Sequence, residues 1–288
     1  MQSKRVHGTS AKIWLVTGAS RGIGLQIVLA ALSSGDFVTA GARDPEALRL
    51  MAGESERLLA VPLDVTKPDE VSAAVQKSLD HFGSLDVLVN NAGYGLLGAF
   101  EELSPSSLEA QFATNLFGAF NVTKAVLPVM RKQRSGHIIS ISSISGISGC
   151  AMASAYCASK YALAGWSDSL SKELALFGIA VSTVYPGTFK TDFFNECSSQ
   201  SADGFIEDYR VANEQWAAMR ADPRNEPIGD PAALGHLIVL LAASKTPPTH
   251  LAAGSDAIAL FQKQATIMQD ISQTWRSLSL ATDVSGQV

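Results

Sequence analysis

The sequence of 288 residues predicts an α/β fold, a single doubly wound parallel sheet of about seven strands with helices on both faces. Apolar segments of strand length alternate with segments of helical periodicity. The strand segments are continuous apolar runs, which is typical of a sheet buried on both faces. No linker interrupts this alternation, so we expect one domain over 1–288. We expect a flexible N-terminus at 1–11, a substrate loop or lid at 189–225 and a C-terminal helical extension at 255–288.

The pattern places each element approximately. Strands are predicted at 13–16, 37–42, 58–63, 86–90, 137–141 and 179–185, with a short seventh at 250–253. After a first helix that follows residue 22, helices are predicted at 68–82, 104–130, 154–177, 230–243 and 257–280. The long segment 104–130 is interpreted as one helix with a possible kink. The segment 189–216 shows no strong regular pattern.

Composition excludes several classes of function. Hydrophobic residues make up 47% and charged residues 17%, which argues against disorder. The net charge of −5 disfavours nucleic acid or an anionic membrane as the main partner. We identify no signal peptide in the polar N-terminus, and the longest apolar run, 237–243, is too short to cross a bilayer. The cysteines lack zinc spacing and the histidines are scattered, so we expect no metal site and a reducing, cytoplasmic setting.

A glycine-rich turn follows the first predicted strand and precedes the first helix. This is the context of a dinucleotide phosphate site, in which glycine lets the ligand approach the backbone and the helix N-terminus supplies N–H donors. The fold is therefore of the Rossmann type. The spacing Gly-x-x-x-Gly-x-Gly indicates a narrower group than the commoner Gly-x-Gly-x-x-Gly. The residues expected to bind the cofactor here are Gly18, Ser20, Arg21, Gly22, Ile23 and Gly24.

The end of the second strand indicates which dinucleotide is bound. An acidic residue at this point favours NAD, whereas an arginine accommodates the 2′-phosphate of NADP. Arg43 ends the strand and, with Arg21, is expected to hold that phosphate. Asp44 is the rival that would favour NAD(H). However, Asp44-Pro45-Glu46 has the pattern of a helix start with Asp44 as N-cap, so we favour NADP(H).

A tyrosine and a lysine four residues apart lie in the predicted helix 154–177. Tyr156 and Lys160 would share one helix face, which brings the phenol close to the ammonium group. A neighbouring cation favours the phenolate, so we expect the pKa of Tyr156 to be lowered towards neutral pH. Such a phenol would serve as a general acid or base. The pair alone is also compatible with an ordinary amphipathic helix.

Taken together, these motifs resemble the classical short-chain dehydrogenase/reductase family. The resemblance covers roughly residues 10–192 strongly and the rest loosely. It rests on the glycine turn and on the following positions, which occur in the family's order and at its spacing: Asp64, Asn90-Asn91-Ala92-Gly93, Asn115, Ser143, Tyr156, Lys160 and Pro186-Gly187. The run 94–100 and the arginine after the second strand resemble 17β-hydroxysteroid and retinol dehydrogenase relatives. The segment 254–257 resembles bacterial oxidoreductases of that branch.

The resemblance implies a set of roles. Tyr156 would exchange a proton with the substrate oxygen, and Ser143 would hydrogen-bond that oxygen. Lys160 would assist Tyr156 and bind the nicotinamide ribose. Asn115 would hold a water molecule of the proton path. The remaining cofactor contacts would come from Asp64 and Val65 at the adenine, from Asn91, Ala92 and Gly93, from Pro186, Gly187 and Thr188 at the nicotinamide amide, and from Thr191. Family likeness also implies a homodimer or homotetramer formed through the helices 104–130 and 154–177.

The substrate pocket is expected at two loops, 146–152 and 189–216. Their apolar and aromatic side chains favour a small-molecule substrate, an apolar ketone, aldehyde or alcohol. The predicted lining is Tyr94, Ser143, Ile147, Cys150, Met152, Phe189, Phe193 and Phe194.

Two other functions share this fold. A non-catalytic NADP(H)-sensing or scaffold protein would need a broken catalytic set, but Asn115, Ser143, Tyr156 and Lys160 are all present. Tight NADPH binding without turnover of any ketone would favour it. An epimerase or dehydratase would need further acid–base residues, and we identify none.

Overall fold

The computed structural model describes residues 11–191 and 199–284. Its centre is a seven-stranded parallel sheet with the order β3-β2-β1-β4-β6-β7-β9. The strands of this sheet are β1 (Ile13–Thr17), β2 (Phe37–Ala42), β3 (Leu58–Pro62), β4 (Val87–Asn90), β6 (Gly136–Ile141), β7 (Ile179–Pro186) and β9 (His250–Ala253). Two short strands, β5 (Gly95–Leu97) and β8 (Ser199–Ser201), pair with each other outside it. The predicted Rossmann-type α/β fold is confirmed.

Helices cover the sheet. They are α1 (Gly22–Ser33), α2 (Pro45–Ala52), α3 (Pro68–Phe82), α4 (Pro105–Phe112), α5 (Gly118–Gln133), α6 (Ser154–Leu174), α7 (Arg210–Ala221), α8 (Pro231–Ala243), α9 (Ser255–Thr274) and α10 (Arg276–Leu280). The predicted N-cap of α2 is confirmed, because the Asp44 carboxylate accepts hydrogen bonds from the backbone of Glu46 and Ala47. Asp230 caps α8 in the same way.

The sheet separates two apolar cores. Trp14 and Leu15 are neighbours in β1 and are both fully buried, but successive side chains of a strand point to opposite faces. Trp14 belongs to the core that contains Ile27 of α1 and Leu234 of α8. Leu15 belongs to the core that contains Val126 of α5 and Leu170 of α6. Burial on both faces explains why these strands are apolar throughout.

The strand order reverses between β1 and β4. From β1 the chain continues to β2 and β3 on one side, whereas β4, β6, β7 and β9 extend the sheet on the other side. In such sheets, ligands bind outside the carboxyl ends of the strands at this switch point. The turns after β1, β4 and β6 therefore meet at one edge.

The structure differs from the sequence-based expectation in four respects. The predicted helix 104–130 is divided into α4 and α5 by a π-helical turn, Ala113–Phe117, which contains Asn115. The helix α7 begins within the segment 189–216, which was expected to lack regular structure, and the small sheet of β5 and β8 was not predicted. The predicted C-terminal helix is divided at Trp275 into α9 and α10.

A buried histidine in β6 makes the stability of the fold sensitive to acid. His137 is 5% exposed, and its Nε2 lies 2.9 Å from the hydroxyl oxygen of Ser182 in β7. Burial, reinforced by the positive charge of Lys12, lowers the pKa of His137 from 6.5 to about 4.

We predict that acid destabilises the protein through this residue. Because its pKa is lowered on folding, the unfolded chain binds more protons between pH 6.5 and about 4. The stability that neutral His137 provides is complete above pH 6.5 and is lost as the pH falls through about 4, a change of roughly 3 kcal/mol. His137→Gln should flatten this dependence in urea unfolding at a series of pH values. Exposed His236→Gln is the control, and an unchanged slope for His137→Gln would contradict the prediction.

Candidate active site

A cavity of about 1470 Å³ lies at the carboxyl edge of the sheet. It brings together predicted residues that are far apart in the chain, from the turn after β1 to the turn after β7. The predicted residues that line it are Gly18, Ser20, Arg21, Gly22, Ile23, Gly24, Arg43, Asp64, Val65, Asn91, Ala92, Gly93, Tyr94, Ser143, Cys150, Tyr156, Lys160, Pro186, Gly187, Thr188, Phe189 and Thr191. Ile147 and Met152, predicted for the substrate pocket, do not line this cavity. Phe193 and Phe194 lie outside the described residues.

The glycine turn after β1 is shaped by close backbone contacts. Gly18 and Gly22 have φ angles of +63° and +54°, a region that favours glycine. A Cβ atom on Gly24 would lie 2.3 Å from the Gly18 carbonyl oxygen, and one on Gly18 would lie 2.8 Å from Ala92 Cα. The turn therefore packs against the end of β4. Its backbone N–H groups lie at the start of α1. This is the cradle that a dinucleotide pyrophosphate fits.

Two polar side chains join the turn to the neighbouring strand. The Thr17 hydroxyl oxygen accepts hydrogen bonds of 3.0 Å from the backbone N–H groups of Asn91 and Ala92. The Asn91 side-chain amide donates to the carbonyl oxygens of Thr17 at 2.9 Å and Gly18 at 3.0 Å. Asn91 therefore positions the turn in addition to lining the cavity. Sequence reasoning missed Thr17, whose role depends on a contact across the sheet.

A carboxylate and a guanidinium face the other end of the cavity. Burial would raise the pKa of Asp64, but hydrogen bonds from the Thr66 hydroxyl and backbone N–H outweigh it. The charges of Lys67 and Arg43 add to this effect, and the pKa of Asp64 is lowered. Asp64 therefore remains ionised. Arg43 is exposed, and its positive charge is close enough to stabilise the Asp64 carboxylate.

Tyr156 and Lys160 are buried together in α6, at 7% and 5% exposure. The Lys160 ammonium lies 5.8 Å from the centre of the Tyr156 ring and donates a hydrogen bond of 2.8 Å to the carbonyl oxygen of Ile141. Burial raises the pKa of Tyr156 to about 12, with the hydrogen bond to Ser143 opposing the rise. Burial also lowers the pKa of Lys160 to about 8. The predicted lowering of the Tyr156 pKa is thus wrong, because burial dominates in this site.

The two serines after β6 have different surroundings. Ser142 is buried, and its hydroxyl donates to the carbonyl oxygen of Lys160 at 3.1 Å. The Ser143 side chain hydrogen-bonds Tyr156 and accepts from the Ser145 backbone N–H at 3.1 Å. Ser143 is therefore the serine that lies beside the phenol at the cavity.

Asn115 lies behind the cavity wall rather than on it. It is 1% exposed, and its side chain accepts from the Tyr94 N–H at 3.0 Å and donates to the Tyr94 carbonyl at 2.9 Å. The same amide donates to Ser159 at 3.0 Å. These contacts show Asn115 joining the π-helical turn to α6 and to the segment before β5.

A carboxylate from α9 holds the turn after β7. The Asp256 side chain accepts hydrogen bonds from the Thr188 backbone N–H at 2.7 Å and from its hydroxyl at 2.9 Å. A Cβ atom on Gly187 would lie 1.9 Å from this carboxylate, so glycine makes the approach possible. Asp256 belongs to the sequence motif at 254–257. Its contact with Thr188 was not predicted, because the two residues are far apart in the chain.

A further wall of the cavity is contributed by α7 and the turn after it. A substrate loop or lid was predicted at 189–225, but the side chains of this wall were not named. This wall includes Trp216, Met219, Arg220, Arg224 and Ile228. Arg224 is paired with Asp222. Within 11–191 and 199–284 there is no cluster of metal-ligating side chains, and none of the helices there has the length and apolar character that a membrane crossing requires.

The fold and this cavity define a Rossmann-type dinucleotide-binding protein. Residues 12–202 match the family model described as short chain dehydrogenase. The chain belongs to the short-chain dehydrogenase/reductase family, and the predicted family is confirmed.

Two curated relatives extend over most of the chain. "Oxidoreductase BOA17" of Botryotinia fuckeliana is 38% identical over 273 residues, which cover 94% of this chain and 99% of the relative. "3-Ketodihydrosphingosine reductase" of Bacteroides thetaiotaomicron is 36% identical, with 90% and 94% of the two chains covered. A solved short-chain dehydrogenase from Streptomyces avermitilis is similar in structure, with a TM-score of 0.86 and 37% identity, covering 96% of this chain and 100% of that one.

We predict that removal of the Asp256 carboxylate loosens the turn that lines the cavity. Asp256→Ala leaves the Thr188 N–H without its acceptor, and affinity for the nicotinamide cofactor should fall by about tenfold. Cofactor fluorescence titration measures the change, and thermal unfolding shows whether the fold is retained. Asp270→Ala, an exposed carboxylate of the same helix, is the matched control. Equal cofactor affinities for the two variants would refute the role given to Asp256.

Proposed function

We propose that the protein is an NADP(H)-dependent oxidoreductase that interconverts an apolar ketone or aldehyde with the corresponding alcohol. The observation that carries the proposal is the grouping of Ser143, Tyr156 and Lys160 in the cavity that also contains the glycine turn. A nicotinamide cofactor supplies or accepts the hydride when it is bound. The glycine turn, Asp64, Val65 and the turn 186–188 would hold that cofactor.

In reduction, Tyr156 would act as the general acid. A phenol with a pKa of about 12 keeps its proton at neutral pH and gives it to a substrate oxygen that has gained negative charge. Ser143, which already hydrogen-bonds Tyr156, would donate to the same oxygen and stabilise its charge. Lys160, with a pKa of about 8, is charged at neutral pH and would favour the phenolate that remains.

In oxidation, the same residues would work in reverse, with Tyr156 taking the proton of the alcohol. We further propose that Asn115 supports this proton path indirectly. Its hydrogen bonds to Tyr94 and Ser159 keep the π-helical turn against α6.

The choice of NADP(H) over NAD(H) rests on Arg43. It follows β2, lies at the cavity and is exposed, so its guanidinium is available to a phosphate. Asp44, the acidic alternative, is engaged as the N-cap of α2. Arg21, at the start of α1, lines the same cavity.

The apolar substrate class is supported by the cavity wall and by a relative. Phe189, Trp216, Met219 and Ile228 contribute apolar side chains to the wall. The Bacteroides relative is named as a reductase of a keto compound. We also propose a homo-oligomer, since α5 and α6 carry or adjoin the exposed aromatic side chains Phe117 and Tyr161.

We predict that Tyr156→Phe lowers kcat for ketone reduction by roughly 10²–10⁴-fold, since it removes the proton donor. Cofactor affinity should stay near that of the wild type, because the ring still fills the same space. Initial rates of NADPH oxidation and fluorescence titration test the two statements. Exposed Tyr161→Phe is the matched control. Turnover by Tyr156→Phe at the wild-type rate would overturn the mechanism.

We predict that Arg43→Ala weakens NADPH binding by about 1–3 kcal/mol, the range of a charge-assisted hydrogen bond. Affinity for NADH should hardly change, because NADH has no 2′-phosphate. Titration of both cofactors measures the two constants, with Arg49→Ala in α2 as the control. A wild type that prefers NADH would refute the roles of Arg43 and Arg21.

A further inference from the structure

Two hydrogen-bonding groups in the cavity wall have no partner among the residues that the structure describes. The Tyr94 hydroxyl and the Trp216 indole Nε1 are both buried, and within residues 11–191 and 199–284 neither forms a hydrogen bond. Both residues line the cavity that contains Ser143 and Tyr156. Buried polar groups in folded proteins nearly always have a partner, so an exception at a ligand cavity points to a contact that the ligand supplies.

Tyr94 is held rigidly beside the proposed catalytic residues. Its backbone N–H and carbonyl are bonded to Asn115, and Gln111 donates a further hydrogen bond of 2.8 Å to the carbonyl. Its side chain packs against a cluster that contains Ala155, the residue before Tyr156. The described side-chain contacts of Asn115 and Gln111 with Tyr94 are all made to its backbone. Neither residue is therefore a partner of the Tyr94 hydroxyl.

Trp216 belongs to a more loosely attached element. It lies in α7, a helix in which no residue is buried. Both unpartnered atoms are shielded from water in this arrangement. A ligand would therefore reach them only after a small displacement of the cavity wall. A helix with little buried surface moves at low free-energy cost. Trp216 is therefore suited to close on a bound substrate.

We infer that the substrate carries a second, uncharged oxygen acceptor in addition to its reacting carbonyl, and that Tyr94 and Trp216 donate hydrogen bonds to it. This inference rests on the proposed function and makes its substrate class more specific. The indole N–H is only a donor, so it selects an acceptor rather than an amine. Both donors are neutral, which favours an ester, ether or keto oxygen over a carboxylate.

The test compares ketones that differ only in this second oxygen. The probes are undecan-2-one and keto esters of equal chain length, in which the ester group lies at successive positions at least four carbons from the ketone. The wild type should reduce at least one keto ester with a kcat/KM about tenfold above that of undecan-2-one. Tyr94→Phe and Trp216→Phe should each bring the ratio of kcat/KM for the preferred keto ester to kcat/KM for undecan-2-one close to one.

Controls separate recognition from packing. Tyr161→Phe and Trp275→Phe change exposed side chains of the same types and should keep the wild-type preference. NADPH titration of each variant shows that the cofactor site is intact. An equal loss with every ketone in Tyr94→Phe and Trp216→Phe would indicate packing and overturn the inference. Wild-type turnover without any preference would overturn the inference alone, whereas no turnover of any ketone would overturn the proposed function together with it.

Discussion

The buried ammonium group of Lys160 ties the proposed catalytic helix to the sheet. A buried cation is tolerated only when it is hydrogen-bonded, and the carbonyl oxygen of Ile141, the last residue of β6, lies 2.8 Å from it. The Ser142 hydroxyl returns a hydrogen bond of 3.1 Å to the Lys160 carbonyl. These two contacts set the register of α6 against β6. Tyr156, one helical turn earlier, is therefore held beside Ser143.

A second group of contacts fixes the turns around this pair. Thr17 and Asn91 join the turns after β1 and β4, and Asp256 holds Thr188 after β7. Each contact uses a side chain to satisfy backbone N–H or carbonyl groups that the strands leave unpaired where they end. The wall formed by α7 is attached by hydrogen bonds from Asn213 to the Glu102 carboxylate, but none of the residues of this helix is buried. The cavity thus combines a rigid side, where we propose that the cofactor binds, with a less constrained side that we propose for the substrate.

The sequence was most informative where structure follows from local pattern. Continuous apolar runs located the seven strands of the sheet, and the four-residue spacing placed Tyr156 and Lys160 on one face. Contacts made across the fold were not predictable, as with Thr17 and Asp256, whose partners are distant in the chain. The helix α7 is rich in polar residues and contains no buried residue, so its sequence resembles that of an exposed loop. Ile147 and Met152 were assigned from polarity alone, which does not say which side of a loop faces a cavity.

The error in the direction of the Tyr156 pKa shows how burial and charge compete in this site. Burial favours the neutral form of each group, which raises the pKa of the phenol to about 12 and lowers that of the ammonium to about 8. The Lys160 ammonium group lies 5.8 Å from the centre of the Tyr156 ring, and its positive charge favours the phenolate and so opposes the effect of burial. In the proposed mechanism the phenolate would form as the partner of the charged ammonium group, so proton transfer at Tyr156 would depend on the protonation of Lys160. The acidity of the proposed catalytic phenol is therefore set by Tyr156 and Lys160 together. Burial makes the phenol a weak acid by itself, and burial also strengthens the effect of the Lys160 charge on it.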